Sequence, residues 1–353
     1  MNLIVKEDLE RIIADDLDWF QFKNKTVLIT GANGLLPTYM VFSLLRLNNE
    51  KALNCKVVGL VRTIKKAKAK FVTYTNRQDL LFIEQDVCEP VAYDGVVDFI
   101  IHAASQASPK YYGIDPVGTI NANVIGLHNL LRTAREKNVT SFLFFSSSEI
   151  YGMPSNPSLP IDENEYGYID INSVYSCYSE GKRLGETMCV SWAHQFGIPV
   201  KIIRPFHTYG PGMEKNDGRV FADFVFDVLR NQNIVLKSEG DAKRCFCYLS
   251  DAVRAYFRVL LHGIPGEAYN VGNPNEEISM EGLAQLLVAL FPAKGLKVVK
   301  QIERSSFGSK IQIPRVIPDI KKIGLLGWNP TVNITEGFKR TIISYKSEFF
   351  ESV

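Results

Sequence analysis

Short apolar runs alternate with amphipathic stretches through the first two hundred residues or so of the chain. Residues 1–24 place acids and apolar side chains at helical spacing and predict a lead-in helix ending near Asn24. Thr26-Val27-Leu28-Ile29-Thr30 predicts a strand, and residues 35–47 predict a helix with apolar side chains on most faces. Further strands are predicted at Lys56–Val61, 80–83, 97–101, 142–145 and 200–203, with helices at 117–137 and 178–196. Strands that are apolar on both faces and alternate with helices imply an α/β fold, a parallel sheet covered on both sides.

After about residue 205 the pattern loosens. Short strands at Ile234–Leu236 and 245–249 mix with helices at 251–262 and 280–291. Gly and Pro gather at Tyr209-Gly210-Pro211-Gly212 and Gly263-Ile264-Pro265-Gly266. The expected organisation is a lead-in helix (1–24), a dinucleotide-binding domain (25–205) and a smaller mixed α/β lobe for substrate. That lobe spans 206–353 and sends segments back to the main domain. There are no internal repeats and no low-complexity tracts.

Composition narrows the function. The 353 residues are 46% hydrophobic and 22% charged with a net charge of +2, which leaves no broad basic surface for nucleic acid. No run approaches the roughly 20 apolar residues of a membrane helix, and the first residues lack a basic start with an apolar core, so a cytoplasmic protein without membrane partners is expected. The six cysteines are scattered, as in a reduced protein. Cys245 and Cys247 have no second ligand pair and would share one strand face, so no metal is predicted.

The first strand runs directly into Gly31-Ala32-Asn33-Gly34-Leu35 and a helix, a turn that lets backbone N–H groups approach a pyrophosphate. Pro37 stands where a third glycine is usual, and a first helical turn tolerates it. These features make the expected sheet a doubly wound Rossmann type. The second strand ends in Arg62, followed by Lys65 and Lys66, where an acid would bind ribose hydroxyls. Arginine at that corner suits a 2′-phosphate, so NADP is favoured over NAD. Asp86, with Val87, is placed to meet the adenine, and His102-Ala103-Ala104 is expected beside the phosphates.

Ser146-Ser147-Ser148-Glu149 closes the fifth predicted strand, at the sheet edge where ligands bind in this architecture. Tyr178 and Lys182, four residues apart on a helix, share one face. The ammonium, together with a nicotinamide ring, is expected to lower the tyrosine pKa from about 10 towards neutrality. The phenolate then removes a hydroxyl proton as hydride leaves the same carbon. Ser147 is placed to hold that oxygen, and Glu149 to act as acid or base at the neighbouring carbon.

Together these residues resemble the extended short-chain dehydrogenase/reductase family of nucleotide-sugar epimerases, dehydratases and decarboxylases. Within it the chain is most similar to the UDP-glucuronate decarboxylase branch. The matching stretches are Ala107-Ser108-Pro109, Ser147-Ser148-Glu149-Ile150-Tyr151-Gly152, Cys177-Tyr178-Ser179-Glu180-Gly181-Lys182-Arg183, Asn216-Asp217-Gly218-Arg219-Val220, Arg244-Cys245-Phe246, Pro318-Asp319-Ile320 and Leu326-Gly327-Trp328. The resemblance implies catalytic Ser147, Tyr178 and Lys182 assisted by Glu149, and cofactor contacts that also include Asn123, Ser146 and Pro205. It further implies a nucleotide-diphosphate sugar held by Ser148, His207, Arg219, Val220, Arg244 and Arg315, and a homodimer formed through helices flanking the sheet. The chain departs from the decarboxylase pattern in having Ser147 for threonine, His207 for asparagine and Gly212 for arginine. Three reactions fit: oxidation at C4 with loss of a neighbouring carboxylate, reduction of a 4-keto-6-deoxy sugar by NADPH, and 4,6-dehydration or epimerisation. A cofactor-binding regulator without activity is the remote non-enzymatic alternative.

Overall fold

A computed structural model describes residues 2–74, 76–154, 156, 160–302 and 315–345. In chain order its strands are β1 (Thr26–Thr30), β2 (Lys56–Val61), β3 (Leu80–Glu84), β4 (Phe99–His102), β5 (Ser141–Phe145), β6 (Val200–Pro205), β7 (His207–Tyr209), β8 (Ile234–Leu236), β9 (Lys243–Tyr248), β10 (Ala268–Val271), β11 (Glu277–Ser279), β12 (Val298–Lys300) and β13 (Arg315–Val316). The helices are α1 (Leu3–Ile13), α2 (Leu35–Lys51), α3 (Ile64–Lys70), α4 (Pro116–Lys137), α5 (Cys177–Phe196), α6 (Val220–Leu229), α7 (Leu249–His262), α8 (Met280–Ala289), α9 (Lys321–Gly324) and α10 (Ile334–Ser344).

Seven of these strands form one sheet in the order β10-β6-β5-β4-β1-β2-β3, every neighbouring pair parallel. Side chains alternate between its faces. Val27 and Ile29 enter a core shared with α1, α2 and α7, while Leu28 enters a second core under α4 and α5. The Rossmann-type doubly wound architecture expected from the alternating pattern is therefore present. The chain winds outward from β1 in one direction through β2 and β3, and in the other through β4, β5, β6 and β10. β1 and β4 are adjacent, so loops leaving their carboxyl ends diverge and open a crevice between them.

A third core lies among α6, α8, α10 and the small sheets. One small sheet runs β11-β9-β13 with β7 alongside β9, and the other pairs β12 with β8. Between β9 and β11 the chain returns to the large sheet, supplying α7 on one face and β10 as an edge strand. Among the described residues no helix is long and apolar enough to cross a membrane, and all six cysteines are free.

The N-terminal helix is shorter than the spacing predicts. Asn2 caps α1 by accepting from Ile4 N–H, and the helix ends at Ile13. Asp15, Asp16 and Asp18 follow, and carboxylates are unfavourable at the negative end of a helix dipole. Asp15 instead pairs with Arg258 at 2.8 Å, and Asp18 caps a separate short turn, Trp19–Phe22.

One buried network steadies the edge of the crevice. Arg204 on β6 donates to both oxygens of Glu186 on α5, at 2.9 and 2.6 Å, and to the hydroxyl of Tyr151 at 2.8 Å. The Tyr151 hydroxyl donates in turn to Asn270 Oδ1 on β10 at 2.6 Å. Arg183 holds the carbonyl of Ile150 at 2.7 Å. The turn that follows β5 is thus fixed from α5, β6 and β10 at once.

Candidate active site

The crevice holds a cleft of about 430 Å³ that runs from the turn after β1 to the loops after β5 and β6. Gly31 makes its start possible. Its φ is +63°, and a Cβ there would stand 2.9 Å from Ala104 Cα, so the segments leaving β1 and β4 pass in direct contact. Thr30 Oγ1 accepts from Ala104 N–H at 3.1 Å and lies 2.8 Å from His102 Nδ1. The hydroxyl has one proton to give, so it donates to a neutral His102; burial pushes that imidazole down to about 3.

The expected cofactor residues separate into three groups. Gly34, Leu35, Arg62, Ala103, Ser146, Tyr178, Lys182 and Pro205 line the cleft. His102, expected beside the phosphates, is only 1% exposed and lies beneath the turn, where it orders Thr30 and so Ala104. Asn33, Asp86, Val87 and Asn123 lie outside the cleft lining. Asn33 turns its carbonyl to Lys70, exposed Asp86 accepts from Cys88 N–H, and Val87 packs at Gly126 on α4. Buried Asn123 donates to the carbonyl of Thr119. The residues fit a dinucleotide: the turn has no Cβ in the way, and the buried hydroxyls of Ser105 and Ser146 face the cleft without a protein partner.

Tyr178, Lys182, Ser147, Ser148 and Glu149 converge at the far end. Ser147 Oγ accepts from Glu149 N–H at 3.1 Å and hydrogen-bonds the phenol of Tyr178. Lys182 is 1% exposed and donates to the carbonyl of Phe145 at 2.6 Å, with its ammonium 5.8 Å from the centre of the Tyr178 ring. The spacing rule thus places both side chains together. Burial pushes the phenol up to about 12 against the Ser147 hydrogen bond, and pushes the ammonium down to about 7. Proximity of the lysine is outweighed by the loss of water around both groups.

Tyr112 is a site residue that spacing did not reveal. Its ring stacks on Tyr178 with centroids 5.2 Å apart and planes within 12°, and its hydroxyl donates to Ala107 at 3.2 Å. It closes the Ala107-Ser108-Pro109 stretch, which was legible as a motif, but only the fold carries it 66 residues along to the catalytic helix.

A second cavity, about 860 Å³, opens beside the first and shares Pro109, His207 and Arg219 with it. Val220 and Arg244 line it as well. Arg244 is half-buried, and burial holds its guanidinium below the usual arginine range. Its hydrogen bond goes to the carbonyl of Lys243 at 2.7 Å, and among the described residues it has no carboxylate partner within ion-pair distance. Desolvation and the charges of Arg244 and Arg219 press His207 down to about 3, so the imidazole is neutral. Arg315 is not brought to either cavity. It pairs with Glu277 on β11, at 2.5 and 2.9 Å. Among the described residues no group of three metal-binding side chains occurs.

The profile of the NAD dependent epimerase/dehydratase family matches residues 27–272. The chain belongs to this family of enzymes. UDP-glucuronic acid decarboxylase 3 of Arabidopsis thaliana is 35% identical over 316 residues, covering 89% of this chain and 87% of that protein. UDP-glucuronic acid decarboxylase 1 of Xenopus tropicalis is 33% identical, over 92% of this chain and 73% of that one. An epimerase of Methanothermobacter thermautotrophicus shares the fold with a TM-score of 0.80, 20% identity, and coverage of 99% and 98%. The UDP-glucuronic acid 4-epimerase of Bacillus cereus, solved with UDP-glucuronic acid and NAD, has a TM-score of 0.77 and 23% identity, covering 92% of this chain and 99% of that one.

The stacked pair yields a test. Tyr112→Leu admits water to the Tyr178 ring, which lowers a pKa that burial has raised. The acid limb of kcat against pH is expected to move to lower pH while kcat falls about fivefold, the scale of one lost aromatic contact, about 1 kcal/mol. Tyr112→Phe should stay within about threefold of the parent. A Leu variant with an unchanged profile would remove Tyr112 from the control of Tyr178.

Proposed function

We propose that the chain modifies a nucleotide-diphosphate sugar by reversible oxidation at C4, and that UDP-glucuronate, which loses its carboxylate as carbon dioxide, is its substrate. The convergence of Tyr178, Ser147 and Glu149 at the end of one cleft, beyond the Gly31–Gly34 turn, carries this reading. Relatives matched over nearly the whole chain support the decarboxylase outcome.

A dinucleotide held along Gly31, Gly34, Leu35, Arg62 and Ala103 supplies the hydride acceptor and donor at the sugar carbon. Tyr178 takes the proton of the C4 hydroxyl, and Ser147 holds the oxygen as it becomes a ketone. The ketone then accepts the electron pair of the C5–C6 bond as carbon dioxide leaves. Glu149, exposed in the cleft wall, delivers a proton to C5, and Tyr178 returns its own proton to O4 when the hydride comes back. Arg244 and Arg219 hold the diphosphate in the second cavity. A half-buried guanidinium without a carboxylate partner is suited to a doubly charged ligand.

A second reading, NADPH-dependent reduction of a 4-keto-6-deoxy sugar nucleotide, is favoured by Gly212. It lines the cleft beside Leu35 with φ +94° and offers no side chain to a sugar carboxylate. For either reaction we assign NADP as the preferred cofactor, because exposed Arg62 stands at the end of β2 and lines the cleft. We also assign a homodimer joined through α4 and α5. Their outer surfaces leave Val117, Ile120, Ile125, Leu184 and Val190 between 41% and 65% exposed, more apolar area than isolated helices on a monomer carry to no purpose.

Incubation with UDP-glucuronate should release carbon dioxide without net change in absorbance at 340 nm, whereas steady NADPH loss with a 4-keto-6-deoxy sugar would establish the second reaction. Tyr178→Phe should reduce turnover at least about a thousandfold with dinucleotide affinity nearly kept; activity within a few-fold removes the phenolate from the mechanism. Arg62→Asp should reverse the ratio of NADP to NAD dissociation constants, and an unchanged ratio means that Arg62 does not meet the 2′-phosphate. Sedimentation should give twice the chain mass for the parent and the single mass for Leu184→Arg. A monomeric parent at micromolar concentration removes the dimer.

A further inference from the structure

Lys70 ends α3, the helix that follows Arg62. Its ammonium donates to the carbonyl of Asn33 at 3.0 Å, so the side chain folds back onto the dinucleotide turn. The residue is half-buried, and burial holds its ammonium below the usual lysine range, opposed by the charge of Glu214. Glu214 lines the cleft, yet it makes no ion pair within 4 Å with Lys70 among the described residues. Partly desolvated charges are ordinarily paired, and a single neutral carbonyl is a weak substitute for an anion.

The geometry gives this cation a purpose. Arg62 leaves the end of β2 and lines the cleft beside Gly34 and Leu36. α3 then carries the chain about 10 Å, at roughly 1.5 Å per residue, and Lys70 returns to Asn33 in the same turn. The two cations therefore approach the turn from the two ends of one short segment. In a dinucleotide-binding sheet the adenosine ribose lies between the first turn and the end of the second strand. Glu84 on β3 is occupied as an acceptor for Ile64 N–H at 2.5 Å.

We infer that Lys70 is a second cofactor-specificity residue, which exchanges the Asn33 carbonyl for the adenosine 2′-phosphate and holds that group opposite Arg62. This rests on the assignment of NADP above. A phosphate would receive one planar guanidinium and one point charge, whereas the neutral 2′-hydroxyl of NAD gives the ammonium little reason to move.

Binding, not turnover, tests it. Dissociation constants for NADP, NAD, adenosine 2′,5′-bisphosphate and AMP are measured by calorimetry on the full chain. Lys70→Gln should weaken NADP and the bisphosphate about tenfold, the loss of one charge-assisted bond, while NAD and AMP stay within about twofold. Lys70→Arg should restore the preference. Equal weakening of all four ligands, or of none, overturns the proposal and leaves Lys70 as a strap between α3 and the turn. Glu214→Gln should leave the NADP preference in place; a collapse equal to that of Lys70→Gln would instead make the pair a latch and overturn the proposal. Acetylation of lysines in the parent chain, read by mass spectrometry, avoids any folding defect. NADP should protect Lys70 and NAD should not, and equal protection by both overturns the assignment. If the parent binds NAD as tightly as NADP, the cofactor assignment itself fails; if it prefers NADP and Lys70→Gln preserves the ratio, only the role of Lys70 fails.

Discussion

The contact between the Lys182 ammonium and the Phe145 carbonyl sets the geometry of the site. An ammonium 1% exposed is costly to bury, and it persists where a carbonyl at 2.6 Å and the ring of Phe144, its centre 4.8 Å away, replace part of its water. The bond pins α5 against the carboxyl end of β5. One turn earlier on the same face stands Tyr178, and one turn later Glu186, which Arg204 clamps to β6 at two points. Two side chains one helical turn apart, Lys182 and Glu186, therefore lock α5 to two neighbouring strands. The phenol comes to rest against Ser147, two residues past Phe145, because the helix has no freedom to slide. The burial that makes this precise also raises the pKa of the phenol and lowers that of the ammonium. Orientation and ionisation are thus set by the same desolvation, with opposite effects on reactivity.

This division explains what could be read from the chain. Parallel strands buried on both faces appear as unbroken apolar runs, so β1 to β6 were legible from Thr26–Thr30 onwards, whereas the edge strand β10, four residues inside the loosely patterned second half, was not. Tyr178 and Lys182 were legible because their relation is local, fixed by one helical turn. Relations made only by tertiary packing were not: Tyr112 on Tyr178, Lys70 on Asn33, and Arg315 on Glu277 each join segments that no periodicity connects. His102 shows the same limit from the other side. Its place at the end of β4 was evident, but whether an imidazole there faces ligand or core depends on Thr30, across the strand pair. Helical spacing likewise ran past Ile13, since apolar periodicity does not register that Asp15, Asp16 and Asp18 oppose the helix dipole.

Electrostatics separate the two ends of the ligand space. Arg219 and Arg244 face the second cavity, where His207 is kept neutral by desolvation and by those two charges. Arg219 is already held by Asp217, at 2.7 Å for one of its two contacts, so it arrives oriented but partly neutralised. Among the described residues Arg244 bonds only a backbone carbonyl, and so retains more of its charge for a ligand. On the other side of the shared wall, Glu149 stands beside Ser147, whose hydroxyl accepts from its N–H, and within reach of the Tyr178 phenol.

Such a site does not by itself choose among the reactions of the family. Removing hydride and proton at C4 leaves a ketone, and a ketone activates both the C5 hydrogen and a C6 carboxylate, because either bond can deliver its electrons into the same carbonyl. The fate of that ketone depends on how the ring is held and whether the hydride returns to the sugar that gave it. A closed cycle keeps one dinucleotide in place through many turnovers, whereas net reduction must release and replace it each time. The exposed basic corner at Arg62 bears on that exchange, and Gly212 bears on whether a carboxylate has a partner at C6. These two features constrain one variable. A sugar without a carboxylate offers its ketone only the α C–H bonds at C3 and C5, and unless one of those protons is exchanged, as Glu149 is proposed to do at C5, the remaining chemistry is the hydride step itself.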